Sequence, residues 1–69
     1  MKTVGRIVDM DEPSGIGTVE AEHGQIHTTI FAEDCRAAGI APVVGSRLIY
    51  TIGAHARTGN GAVGLEKLG

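Results

Sequence analysis

The side chains able to do chemistry in this 69-residue chain are few and scattered: His23, His27, His55, a single Cys35, and the carboxylates Glu20, Glu22, Glu33 and Asp34. A metal ion needs three or four donors converging with fixed geometry. The histidine spacing and one cysteine supply no such ligand pattern, so no metal and no cofactor is expected. The histidines read as surface residues. A nucleophilic cysteine needs a neighbouring base and an orienting group. No histidine stands near Cys35 in the sequence, and the residue reads as a small, half-buried apolar group. The carboxylates form no defined acid–base pair; they read as a solvated acidic face that repels nucleic acid or attracts a basic partner. Gly15-Ile16-Gly17 and Gly59-Asn60-Gly61 hint at phosphate cradles. Such loops need a strand before and a helix after, whereas strands come after both here, so these are turn and packing glycines. With no constellation of nucleophile, base and orienter, the expectation is a binding protein, not an enzyme.

The chain that must position these groups is short enough for one domain, residues 1–69. Its hydrophobic fraction of 42% is sufficient for a folded core and too high for a disordered tail. Aromatic residues make up only 3%, which argues against a surface built of stacked rings. The formal charge of −2 removes a strong electrostatic reason for nucleic-acid affinity, although one face can be basic while the whole is acidic. One cysteine permits no internal disulfide, which fits a reducing cytoplasm. Met1-Lys2-Thr3-Val4-Gly5 leads into no long apolar run, so no signal peptide is expected. No segment approaches the roughly 18 apolar residues of a membrane span.

The chain carries five strand signals and one helical link. Val4–Met10 is the first strand, ended by the Pro13 and Gly15 breakers. Gly15–Glu22 alternates, with Gly15, Gly17, Val19 and Ala21 facing the core and Ile16, Thr18, Glu20 and Glu22 outside. His23-Gly24-Gln25 is a hairpin turn, and Ile26–Phe31 is the β-branched third strand. One register turns Ile26, Thr28 and Ile30 inward and His27, Thr29 and Phe31 outward; the opposite register stays open. Ala32–Ala38 is the helical link, with Gly39 as its stop, and Ile40–Ser46 is a loop. Arg47–Ile52 is the strongest strand, expected to bury Leu48, Tyr50 and Ile52. Ala62–Glu66 closes the chain with Val63 and Leu65 inward, after a glycine-rich loop with its mobile tip at Arg57–Gly61. This pattern suits an all-β, five-stranded antiparallel barrel, whose closure protects its strand edges.

The order of strands and glycines resembles a bacterial cold-shock domain, a barrel of the OB type. Gly5–Asp11 lies in the place of that family's first strand. Ser14-Gly15-Ile16-Gly17-Thr18-Val19 lies on its first RNA-binding motif, Lys-Gly-Phe-Gly-Phe-Ile, and His27-Thr28-Thr29-Ile30-Phe31 on its second, Asp-Val-Phe-Val-His. Gly45–Ile52 matches the fourth strand, and Arg57–Leu65 matches the basic loop and closing strand. The resemblance implies single-stranded DNA or RNA as ligand. The departures are chemical: Asp9 stands for Trp, Ile16, Thr18 and Thr29 for Phe, and Ser14 for Lys. Each aromatic base platform is worth about 1–3 kcal/mol, so losing about four removes several kcal/mol.

Two readings are open. In the first, a remnant of the family's face binds single strands weakly: Arg6 and Arg57 for phosphates, Phe31 for one base, and Ile16, Thr18, His27 and Thr29 as contact edges. In the second, nucleic-acid binding is lost. Met10, Ile16, Phe31 and Ile40 then form an apolar patch that docks a protein or a second copy of the chain.

Overall fold

In the computed structural model, which describes residues 1–68, five strands and one short helix succeed one another in the order expected. They are β1 (Thr3–Asp11), β2 (Ile16–Ala21), β3 (His27–Phe31), α1 (Ala32–Ala37), β4 (Arg47–Gly53) and β5 (Gly61–Lys67). All neighbours are antiparallel, in the spatial order β3-β2-β1-β4-β5. β1 is the central strand. Its first half, Thr3–Arg6, pairs with β4, and Gly5–Asp11 pairs with β2. Between Ile7 and Asp9 the register slips by a residue, a bulge that bends the strand and re-aims its second half. The bend curls the sheet strongly into a half-barrel and brings its two end strands, β3 and β5, together.

Two glycines permit that curl because space, not backbone freedom, is short. A Cβ on Gly5 would lie 2.6 Å from Tyr50 Cε1 and 2.7 Å from the Glu20 carbonyl oxygen. A Cβ on Gly17 would lie 2.5 Å from the Asp9 carbonyl oxygen and 2.7 Å from Met10 Cε. The space they leave is filled by side chains from neighbouring strands. Ile7, Val19, Ile30, Cys35, Ile40, Leu48, Tyr50 and Ala62 form one core, with Met10, Ala38 and Leu65 packed against it. Of the inward set expected on the second strand, Gly17, Val19 and Ala21 are buried, while Gly15 lies half-buried in the turn before β2; on β3 Thr28 and Ile30 are inward, which settles the open register. Ile26 lies before β3 and is exposed.

Helix α1 carries Glu33 and Asp34 in its first turn and Arg36 in its last, the charge order its dipole favours. It stops at Gly39, whose φ of +75° is the left-handed conformation that glycine adopts readily. The Gly39 N–H donates to the Arg36 carbonyl at 3.1 Å and the Ile40 N–H to the Cys35 carbonyl at 2.8 Å. This paired closure is a Schellman motif, which turns the chain back over the helix. Ile40 is thereby driven into the core, only 4% exposed.

Two expectations for the closing strands are corrected. Ile52 shares the inward face with its cross-strand partner Ala62, but lies at the open end of the half-barrel near Ile26 and Met1 and stays 41% exposed. Val63 and Leu65 are half-buried, and the buried residues of β5 are Gly61 and Ala62. The cause is a register slip between Ile49 and Thr51, with Gly64 at φ +62° as the extra residue on β5.

Candidate functional site

The strand register lays the outer face of β1, β2 and β3 out in rows. Arg6 stands opposite Glu20, and Glu20 opposite His27. The next row is Asp9, Thr18 and Thr29, and the third is Asp11, Ile16 and Phe31. Arg6, Ile16, Thr18, His27, Thr29 and Phe31 therefore share one face, about 10 Å across the strands and about 13 Å along them. The bulge after Ile7 is what puts Asp9, rather than Val8, opposite Thr18.

Arg57 joins this face from the β4–β5 loop. Its guanidinium carbon lies 4.4 Å from the centre of the Phe31 ring. The His55 imidazole stacks on the same ring, centroids 4.5 Å apart and planes 29° from parallel. Two hydrogen bonds set the His55 tautomer. The Arg57 backbone N–H donates to Nδ1 at 3.1 Å, so Nε2 carries the proton and donates to Asp34 Oδ2 at 2.8 Å. Glu33 Oε1 sits 3.7 Å from Arg57 Nη1. The expected mobile tip is tied back by hydrogen bonds from the Gly59 N–H to the His55 carbonyl and from the Thr58 hydroxyl to the Asn60 carbonyl.

This arrangement corrects the expectation for Phe31. The ring is on the outer face as expected, but only 1% is exposed, because His55 and Arg57 cover it. A base has no open phenyl surface to stack on. His55 likewise is not a surface histidine, its side chain being 11% exposed. The apolar patch is corrected as well. Phe31 and Ile40 are buried, Met10 is half-buried against the core, and Ile16 alone of the four is exposed.

The electrostatics of the face are nearly balanced. Among the described residues Arg6, Arg36 and Lys67 have no ion-pair partner, whereas Lys2 pairs with Glu66 and Arg47 with Glu22. The Arg47 Nε–H donates to Glu22 at 2.6 Å, which holds that carboxyl below its ordinary range and pushes the guanidinium up. His27 Nε2 meets Glu20 Oε2 at 2.9 Å. At the far end the Ser14 hydroxyl and N–H both donate to Asp11, at 2.5 and 3.1 Å, and hold its carboxyl low. The face thus carries Arg6 and Arg57 against Asp9, Asp11 and Glu20. Elsewhere, burial pushes the Cys35 thiol up, away from the nucleophilic thiolate. No three His, Cys, Asp or Glu side chains among the described residues converge on one point. No described helix is long and apolar enough to cross a membrane.

His55, Asp34 and Glu33 are the site residues that sequence reasoning missed. The available signal was a paired Glu33-Asp34 at the start of the helix together with His55-Ala56-Arg57 in the loop. Neither pair identifies the other without the fold. No family model, no curated protein and no solved structure matches the chain.

Proposed function

We propose that this chain is a non-catalytic module that binds single-stranded nucleic acid weakly and with strong salt dependence, on a barrel of the cold-shock type. The observation that carries this is Arg57. It lies against Phe31, its side chain remains 48% exposed, and it borders a face of Ile16, Thr18 and Thr29. Bases stack on planar guanidinium groups as well as on aromatic rings. The guanidinium takes the place the phenyl ring cannot fill, and Phe31 and His55 hold it in position. Arg6, free of an ion pair among the described residues, supplies a phosphate contact in the first row. The carboxylates of the same face weaken every such contact, which is why affinity is low.

The test is a titration of labelled oligo-thymidine and oligo-uridine at about 50 mM and about 200 mM salt, across which charge-driven binding falls sharply. Arg57→Ala abolishes the interaction. Arg57→Lys keeps the charge but not the plane, and recovers only part of it. Absence of binding at the lower salt rules the proposal out, and equal affinity of wild type and Arg57→Ala rules out this site.

A further inference from the structure

Beside Arg57 lies a cleft of about 230 Å³, walled by the β1–β2 turn on one side and by α1 on the other. Glu12 and Arg36 line it from opposite walls, and neither has an ion-pair partner among the described residues, including each other. Glu33 and Arg57, which also line it, are already engaged with one another. The cleft therefore offers a carboxylate and a guanidinium held apart, next to the stacking plane of Arg57, which Phe31 backs from beneath. At about 30 Å³ per water it holds the volume of about seven or eight waters, so it suits one flat group and not a whole nucleotide cofactor.

We infer that this cleft is a guanine pocket, in which Glu12 and Arg36 read the base whose ring stacks on Arg57. The inference rests on the nucleic-acid reading and adds a base preference to it. Guanine offers two neighbouring N–H donors, N1–H and the exocyclic amino group, which one carboxylate accepts together. Its O6 and N7 acceptors take a guanidinium in bidentate fashion. Uracil and cytosine offer a carboxylate one such edge donor, and adenine's amino group stands beside a ring acceptor that a carboxylate repels. Of the four bases, guanine alone offers a carboxylate two neighbouring donors and a guanidinium two neighbouring acceptors at once.

The experiment uses the full chain and labelled oligo-uridines of about eight nucleotides, a length within one barrel's reach. They carry uridine, guanosine, inosine or adenosine at one central position, at about 50 mM salt. The guanosine strand binds about tenfold tighter than the all-uridine strand, the size of one bidentate base contact. Inosine, lacking the amino group, loses most of that gain. In Glu12→Gln and Arg36→Gln, both surface changes, the ratio between guanosine and all-uridine strands falls to about one. Equal affinity for all four strands overturns the guanine assignment and leaves the nucleic-acid reading standing. No binding of any strand overturns both.

Discussion

Replacing Gly5 by alanine tests the packing on which the curl of the sheet depends. The added methyl would sit 2.6 Å from Tyr50 Cε1, 2.8 Å from its hydroxyl and 2.7 Å from the Glu20 carbonyl oxygen. Carbon atoms settle at about 3.5–4.0 Å, so the overlap with the ring is about 1 Å. Neither neighbour yields readily. Tyr50 is fully buried, and the Glu20 carbonyl belongs to the main chain of the paired strand. Overpacking of this kind costs about 1–3 kcal/mol, and the severity here points to the upper end. Against it stands a gain of about 0.5–1 kcal/mol from the stiffer unfolded chain. The net loss is about 2 kcal/mol, a large part of the stability that so small a core supplies. At about 4–8 °C per kcal/mol, Tm falls by about 8–16 °C. Urea and thermal unfolding monitored by circular dichroism measure it. Combining the change with Tyr50→Leu, which removes both close ring contacts, costs less than the two single changes added together, by about 1 kcal/mol or more. A Gly5→Ala protein within about 0.5 kcal/mol of wild type would refute the packing argument.

The buried and stacked groups set four further outcomes. The Tyr50 hydroxyl is buried without a hydrogen-bond partner, so Tyr50→Phe is neutral or stabilising by up to about 1–3 kcal/mol in urea unfolding. Burial also raises the Tyr50 phenol above its ordinary 10.0; the folded state then holds its proton longer than the unfolded state, and stability falls as pH rises past that value, a fall that Tyr50→Phe diminishes in alkaline unfolding titrations. Ile40→Ala costs about 2–5 kcal/mol while Ile16→Ala stays within about 0.5 kcal/mol, and equal costs in chemical denaturation would contradict the buried placement of Ile40. His55→Ala costs about 1–2 kcal/mol through the Asp34 contact, and proton NMR shows the Phe31 ring resonances leaving their stacked positions.

Much of the strand pattern was legible because alternation and glycine position are local. Val19, Ala21 and Ile30 turn inward as their period of two requires, and Gly39 ends the helix through its own backbone. The illegible part depended on residues far apart in the chain. Phe31 sits outward by alternation, and nothing near it in sequence says that His55 will cover it. Ile40 reads as a loop residue until the Schellman closure turns it inward. The shift that moves burial in β5 from Val63 to Ala62 comes from one extra residue at Gly64, which no periodicity displays. The candidate face was legible as a set of strand positions, since register alone joins Arg6, Thr18, Thr29 and Phe31. Its chemistry was not, because that is decided by the loop laid over it.

On the proposed nucleic-acid reading, the covering loop is what supplies the stacking surface. An exposed phenyl group binds bases but leaves apolar area in water, at about 25 cal/mol for each Å². Here Phe31 is buried and contributes to stability, while the surface it supports is a guanidinium that water solvates well. On the proposed reading, affinity comes from a charged plane in a setting of nearly equal positive and negative groups, so long-range attraction to phosphate is weak. Discrimination in such a site rests on how donors and acceptors of the ligand match fixed charges at short range, and Glu12 facing Arg36 across one cleft is that kind of pattern.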